Sequence, residues 1–245
     1  MTTPAGLRLF DVREGVKLDS EVAEIFYHNA AKLLFLSKRA LADLQTAFAF
    51  LCTRVKGPDE DDYKKLHRVM KYLRGSKEFT LTLEADNLHI LKWWVDASFA
   101  VHDDMRSHTG GVMSMGQGAV YATSTRQKLN TKSSTEAELV GVDDCMPQVL
   151  WTRYWMEVQG YTISENIVYQ DNKSSILLEN NGRQSSGKRT RHIDIRYYFV
   201  TDRIKKKEVS IEYCPTGEMI SDYFTKPLQG ALFYKFRAFI LNLVT

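Results

Sequence analysis

Near residue 76 the hydrophobic period of this chain changes, and no other feature constrains its fold as strongly. Before that point apolar residues recur at three- and four-residue steps, the spacing of one helix face. From Asp19 to Arg39 the recurring residues are Val22, Ile25, Phe26, Ala30, Leu33, Leu34 and Ser37. A second helical run, A-L-A-D-L-Q-T-A-F-A-F-L-C-T-R-V, stops at Gly57-Pro58, a breaker pair. A third opens on D-E-D-D, acids suited to the positive end of a helix dipole, and carries Tyr63, Leu66, Val69, Met70 and Leu73 as its stripe. Residues 20 to 75 therefore read as a compact three-helix unit.

Beyond it the period becomes two. F-T-L-T-L (79–83) predicts a short strand and H-I-L-K-W-W-V-D-A-S (89–98) a longer one. T-G-G-V-M-S-M and A-V-Y-A-T-S flank the turn M-G-Q-G and predict a hairpin. A long helix is expected from about Ser133 to Val158, then a strand N-I-V-Y-Q-D (166–171) and a helix N-K-S-S-I-L-L-E-N-N ended by Gly182. A basic helix over 191–206, a strand V-S-I-E-Y-C (209–214) and closing helices in G-E-M-I-S-D-Y-F-T-K and G-A-L-F-Y-K-F-R-A-F-I-L complete the chain. Strands followed by alternating strand and helix describe an α/β domain with a mixed sheet.

Composition narrows the class. With 44% hydrophobic and 26% charged residues in 245, the chain is neither disordered nor fibrous. No apolar run approaches the roughly 20 residues of a membrane-spanning helix, and the N-terminus has no secretory apolar core. An intracellular, non-secreted protein without a membrane partner is expected. Cys52, Cys145 and Cys214 are scattered and odd in number, which points to free thiols rather than a disulfide frame. The net charge is only +3, but residues 183–207 carry nine Lys/Arg against two Asp. Such a block is either an electrostatic footprint for a polyanion or a solvated helix face.

Asp96 is the acid that needs explaining. It follows Trp93, Trp94 and Val95 in a run built for burial, where a lone carboxylate is costly unless something binds it. Asp171 ends the strand N-I-V-Y-Q-D, where α/β sheets place functional residues, although either it or Asn172 could simply cap the next helix. In K-S-S-T-E-A-E-L, Glu138 shares an inward stripe with Val142, Cys145 and Val149, whereas Glu136 lines up with Val140, Asp143 and Pro147 and is expected to be solvated. Asp222 could equally form an exposed pair with Lys226 one turn on. Acids brought together repel unless a cation sits among them, and Mg2+ prefers such hard oxygen ligands.

V-D-A-S-F, S-S-T-E-A-E-L, Y-Q-D-N-K-S-S, R-H-I-D-I-R-Y-Y-F and S-D-Y-F-T-K-P-L, in this order, resemble the ribonuclease H domain of copia-type retrotransposon Pol polyproteins. A-K-L-L-F-L-S-K-R-A and the stretch from L-C-T-R-V-K-G-P to K-Y-L-R-G-S resemble the thumb or connection region that follows the reverse transcriptase palm. The resemblance implies a ribonuclease H-like mixed five-stranded sheet flanked by helices, preceded by a small three-helix unit. It divides the chain into a helical segment (1–76), a ribonuclease H domain (77–230) and a C-terminal helix (231–245). It implies an endonuclease that cuts the RNA strand of RNA–DNA hybrids with two Mg2+ ions, or Mn2+ in their place, held by Asp96, Glu138, Asp171 and Asp222. Ser98, Asn130, Ser134 and Asn172 are candidate polar contacts to the hybrid, and Lys132, Lys188, Arg189 and Arg191 candidate phosphate contacts. His192 either approaches the site or anchors its helix.

The pattern departs from the family in two places. The loop before the last acid, C-P-T-G-E-M-I-S-D, lacks the histidine that many ribonucleases H carry there. No polymerase motif of an aromatic residue, a spacer and two aspartates is present; the similar string G-V-D-D (141–144) falls within the long helix. A reverse transcriptase palm and fingers, in cis or in trans, is therefore an expected partner, in a cytoplasmic retroelement particle or the nucleus. The alternative expectation is a catalytically silent, hybrid-binding remnant of a decayed or split polyprotein. A transposase or integrase of related fold would carry its glutamate late, after the fourth strand, and here that late acid is an aspartate.

Overall fold

The structure is a computed structural model and describes residues 2–13, 15–182 and 194–243. Three helices come first. Helix α1 (Ser20–Arg39) starts where the Asp19 carboxylate accepts the Val22 N–H, and it buries Phe26, Ala30, Leu33 and Ser37. A short 3-10 turn (Ala42–Leu44) leads into α2 (Gln45–Arg54). Helix α3 (Glu60–Ser76) opens on a capping box in which Asp59 and Asp62 each accept the other's backbone N–H. Its inner stripe is Leu66, Val69 and Tyr72, while Tyr63 and Met70 face outward, so the buried face is rotated from the one expected.

The chain then forms β1 (Glu84–Ala85), β2 (Ile90–Ser98), β3 (His108–Ser114), β4 (Gly116–Gln117) and β5 (Tyr121–Arg126). Helix α4 (Ser134–Val158), strand β6 (Glu165–Gln170), α5 (Lys173–Asn181), α6 (Asp194–Lys205) and β7 (Ser210–Tyr213) follow. The short α7 (Asp222–Thr225) and α8 (Gly230–Leu241) close it. The main sheet has the order β5-β3-β2-β6-β7, and β1 pairs with β4 separately. β2 pairs antiparallel with β3 and parallel with β6, so the sheet is mixed, as expected. The expected hairpin is present, with Met113 opposite Tyr121.

The strand expected at 79–83 does not form. The only pairing near it is Glu84–Ala85 against Gly116–Gln117. Phe79 and Leu81 pack on the core, and the Thr82 N–H donates to Leu241 O at 3.1 Å. The alternation there records one-sided packing against the end of α8, not a place in the sheet.

Central strand β2 is covered on both faces, which explains its near-continuous apolar run. Leu91, Trp93 and Val95 point into one core with Val142, Cys145, Met146 and Val149 of α4. Trp94 points into the other, with residues of the three-helix unit and with Phe224, Phe233 and Phe236. Polar links reinforce that second core. Thr46 Oγ1 donates to Tyr223 O at 2.6 Å, Tyr72 Oη to Asp43 Oδ2 at 2.7 Å, and Arg237 Nη1 to Tyr72 Oη at 3.2 Å.

Candidate metal and active site

The site lies where β2, β6 and the start of α4 meet α7. Asp96 stands opposite Gly110 in the β2–β3 ladder and is buried. A Cβ on Gly110 would meet Thr225 Cγ2 at 2.7 Å, Phe224 Cβ at 2.8 Å and Ser221 O at 2.9 Å. Glycine at this position lets α7 lie directly on the sheet beside Asp96. From α7 the Thr225 hydroxyl donates to Asp96 Oδ2.

Glu138 arrives from α4. Ser133 caps that helix by accepting the Glu136 N–H at 3.2 Å, and the Glu136 carboxylate accepts the Lys132 N–H at 2.8 Å. Glu136 is thus only 8% exposed, contrary to its expected solvation, because it closes a box at the helix start rather than pointing to water. With the start fixed, Glu138 falls on the inward stripe with Val142, Cys145 and Val149, as its spacing indicated. Its Oε2 is buried and has no hydrogen-bond partner.

Asp171 follows directly on β6. The choice of cap falls on Asn172, whose Oδ1 accepts from the Ser174 and Ser175 N–H groups at 3.1 Å each. Asp171 is left to face the site, steadied by the Thr216 hydroxyl at 2.9 Å from Oδ2. Carboxylate oxygens of Asp96, Glu138 and Asp171 all lie within 4.8 Å of one another.

Asp222 is buried beside this group, as the first residue of α7. The pair with Lys226 exists at 2.6 Å, yet it is not the exposed surface pair that i,i+4 spacing allows. Lys226 Nζ also lies 3.4 Å from Asp96 Oδ2, so one ammonium spans two acids. Burial and the neighbouring charge of Asp96 push the Asp222 carboxyl up to about 7. Burial, then Asp96 and Asp171, hold the Glu138 carboxyl well above the usual carboxylate range. Burial opposes the charge on Lys226, but Asp96 and Asp222 outweigh it and raise the ammonium above its ordinary value. Among the described residues one ammonium, that of Lys226, pairs with this group of four acids.

Among the other candidates, Ser98 is buried and its hydroxyl donates to Thr225 O at 3.2 Å. Asn130 is exposed and donates to Asp104 O at 3.0 Å. Lys132 and Ser134 are exposed beside the start of α4. Lys188, Arg189, Arg191 and His192 lie outside the described residues.

Sequence reasoning missed Lys226 as the shared counter-ion of two buried acids, Thr225 as the anchor of Asp96, and a histidine pair behind α7. His102 Nε2 and His108 Nδ1 are 2.9 Å apart, and His108 Nε2 meets Ser124 Oγ at 2.7 Å. Ser124 Oγ in turn donates to Phe224 O at 2.7 Å. Burial lowers His108 to about 3; burial and then Arg126 lower His102 to about 4, so both rings are neutral. The polar string S-H-T inside a buried strand was the available signal.

No family model matches the chain. It is 26% identical over 213 residues to the retrovirus-related Pol polyprotein from transposon TNT 1-94 of Nicotiana tabacum, covering 86% of this chain. It is 28% identical over 196 residues to that from transposon RE2 of Arabidopsis thaliana, covering 79%. Its homologues are retrovirus-related Pol polyproteins of plant transposons. The chain spans only 16% and 13% of the length of these two Pol polyproteins. Solved structures overlap it loosely. LC11-RNase H1 in complex with RNA/DNA hybrid covers 55% of this chain and 92% of its own, at 10% identity and a TM-score of 0.38. The Prototype Foamy Virus protease-reverse transcriptase covers 92% of this chain and 28% of its own, at 15% identity and a TM-score of 0.39. No helix among the described residues is long and apolar enough to cross a membrane.

Proposed function

We propose that this chain is a ribonuclease H of a retrotransposon Pol polyprotein, an endonuclease that hydrolyses the RNA strand of RNA–DNA hybrids. One observation carries the reading: three carboxylates from β2, α4 and the end of β6 converge within 4.8 Å, and one buried oxygen, Glu138 Oε2, has no donor. An all-oxygen donor set of this kind fits hard divalent cations, and two Mg2+ ions, or Mn2+ in their place, are the proposed cofactors. Asp96, Glu138, Asp171 and Asp222 would hold them. Ions held there would supply a site that activates water and neutralises charge on a phosphodiester.

The chain's own residues prepare the site. Thr225 and Thr216 fix the Asp96 and Asp171 carboxylates, which removes rotamer freedom before a substrate arrives. Lys226 balances Asp96 and Asp222. Burial, then Asp96 and Asp171, raise the Glu138 carboxyl, and a cation held there would favour its charged form. In this reading Ser98, Asn130, Ser134 and Asn172 contact the hybrid, and Lys132, Lys188, Arg189, Arg191 and His192 lie along its backbone. Residues 1–76 serve as the thumb or connection-like segment, 77–230 as the nuclease and 231–245 as the closing helix, working inside the cell with a polymerase palm and fingers. Polymerase activity is not proposed, because G-V-D-D (141–144) is an internal turn of α4.

A second reading, a remnant that binds hybrid without cutting, draws on Lys226, which already places one positive charge between two of the acids. The test is cleavage of end-labelled RNA in an RNA–DNA hybrid with Mg2+, beside single-stranded RNA and duplex DNA, with Asp171→Asn as control. Cutting of hybrid RNA alone, abolished in the variant, is the expected outcome. Hybrid binding without cutting favours the remnant.

A further inference from the structure

Helix α3 carries a charged stripe that the carboxylate site does not use. Asp61, Lys64, Lys65 and Arg68 recur at i, i+3, i+4 and i+7, the spacing of one helix face. The segment before α1 lies against that stripe and is fixed there. Arg68 Nη2 donates to Thr3 Oγ1 at 2.7 Å and its Nε to Thr3 O at 3.3 Å, while Lys65 Nζ donates to Asp11 O at 2.6 Å. The Leu9 N–H donates to Gly6 O at 3.0 Å, and the Leu9 side chain is buried. Phe10 meets the Phe50 ring edge-on, with centroids 5.8 Å apart. The segment thereby becomes the second wall of a cleft of about 460 Å³, within the roughly 300–1,000 Å³ of small-molecule sites.

Arg8, Asp11 and Arg13 line the cleft from that wall, and the α3 stripe lines it from the other. Five cations thus meet two carboxylates, an excess equal to the +3 net charge of the whole chain. Part of this charge is already engaged. Lys65 pairs with Asp61 at 3.0 Å and holds the Asp11 carbonyl, and Arg68 holds Thr3. Lys64 reaches Glu60 only at 3.9 Å, and both are exposed, which makes that pair worth little. Arg8 and Arg13 are exposed and make no hydrogen bond or ion pair among the described residues. Two guanidinium groups and one ammonium therefore remain for a ligand.

We propose that this cleft binds a compact polyphosphate, three or more linked phosphate groups on a small frame. Guanidinium forks match phosphate oxygens two at a time, and lysine adds a point charge. Charge density selects among anions. In an extended acidic peptide the side chains alternate faces, so carboxylates on one side stand about 7 Å apart. Linked phosphates instead place charge on every successive phosphorus. Asp11, with no ion pair among the described residues, disfavours weakly charged ligands. No aromatic ring among the described residues lines the cleft, so it lacks the stacking surface of a site for single strands. The cleft shares no residue with the carboxylate cluster, and the proposal stands whether or not that cluster cuts.

The experiment uses the full chain, freed of divalent metal on a chelating resin so that no phosphate binds through an ion at the carboxylates. It is titrated by calorimetry with sodium tripolyphosphate, with orthophosphate and with a blunt RNA–DNA hybrid. Tripolyphosphate binds, and orthophosphate binds far more weakly. Arg8→Gln with Arg13→Gln weakens tripolyphosphate binding at least about tenfold, the worth of a single charge-assisted hydrogen bond. The same variant keeps the parent melting temperature, because both side chains are exposed. Asp11→Asn tightens tripolyphosphate binding, a gain that a loosened fold does not produce. A parent that fails to bind tripolyphosphate overturns the proposal, as does equal binding by the parent and the arginine variant. A loss confined to the hybrid also overturns it, and would make the cleft a contact for a nucleic-acid backbone.

Discussion

Glu179→Gln is expected to change how the stability of this protein depends on pH. Glu179 lies in α5, wholly buried, behind β6, the strand that Asp171 follows. Its carboxylate accepts from Ser175 Oγ at 3.1 Å, and the Gln170 amide, turned so that its nitrogen faces the acid, sits 2.8 Å from Oε2. No cation among the described residues pairs with it. Burial, only slightly offset by Ser175, pushes the carboxyl from 4.5 up to about 8. Between those values the folded protein keeps a proton that the unfolded chain has already released. Stability is therefore greatest below pH 4.5 on account of this group, and is lost as pH rises toward 8. At about 1.36 kcal/mol per unit, the ceiling is about 5 kcal/mol, with about 3 kcal/mol of it lost between pH 5 and pH 8. Gln keeps the size and hydrogen-bonding capacity but does not titrate. Urea unfolding of both proteins at pH 5, 6, 7 and 8 gives the difference directly, and common contributions from Glu138 and Asp222, which run in the same direction, cancel. The variant gains about 3 kcal/mol on the wild type across that range. Parallel stability curves would show that Glu179 is ionised in the fold and that the reasoning from burial is wrong.

Two further outcomes test the site. Gly110→Ala forces a Cβ within 3 Å of Ser221 O and of the Phe224 and Thr225 side chains of α7, so it costs about 1–3 kcal/mol and lowers hybrid cleavage by displacing Asp222 and Lys226, read by thermal melting and by rate. Saturating Mg2+ raises the melting temperature of the wild type, equivalent to about 2.7 kcal/mol at a hundredfold excess over the dissociation constant, and Glu138→Gln removes most of that rise.

Local pattern carried much of this architecture. The Glu138 stripe was legible because helical spacing ties it to Val142, Cys145 and Val149, and all four are buried. The hairpin and the ends of β6 and α5 followed from turn residues and from Gly182. Asp96 was legible as an anomaly, but its stabilising partners were not, because Thr225 and Lys226 lie about 130 residues away and only folding brings them near. Lys226 was readable as an i,i+4 neighbour of Asp222, and spacing alone says nothing about burial. Residues 79–83 misled because one-sided packing produces the same alternation as a strand. Glu136 misled because a polar helix edge and a helix-start box share one spacing. The strand order, with β2 between β3 and β6, depends on long-range pairings that no short window of sequence contains.

The floor beneath α7 has a consequence for how such chains evolve. Asp43 and Tyr72 come from the first three helices and their turn, while Tyr223 and Arg237 come from the other end of the sequence, yet they meet in one polar knot. Two neighbouring genes could not trade one half for a stranger's and keep the knot. Recombination at the change of period would graft a foreign underside onto the turn that bears Asp222. A chain assembled from two unrelated halves would have to rebuild that knot before Asp222 could return to its place.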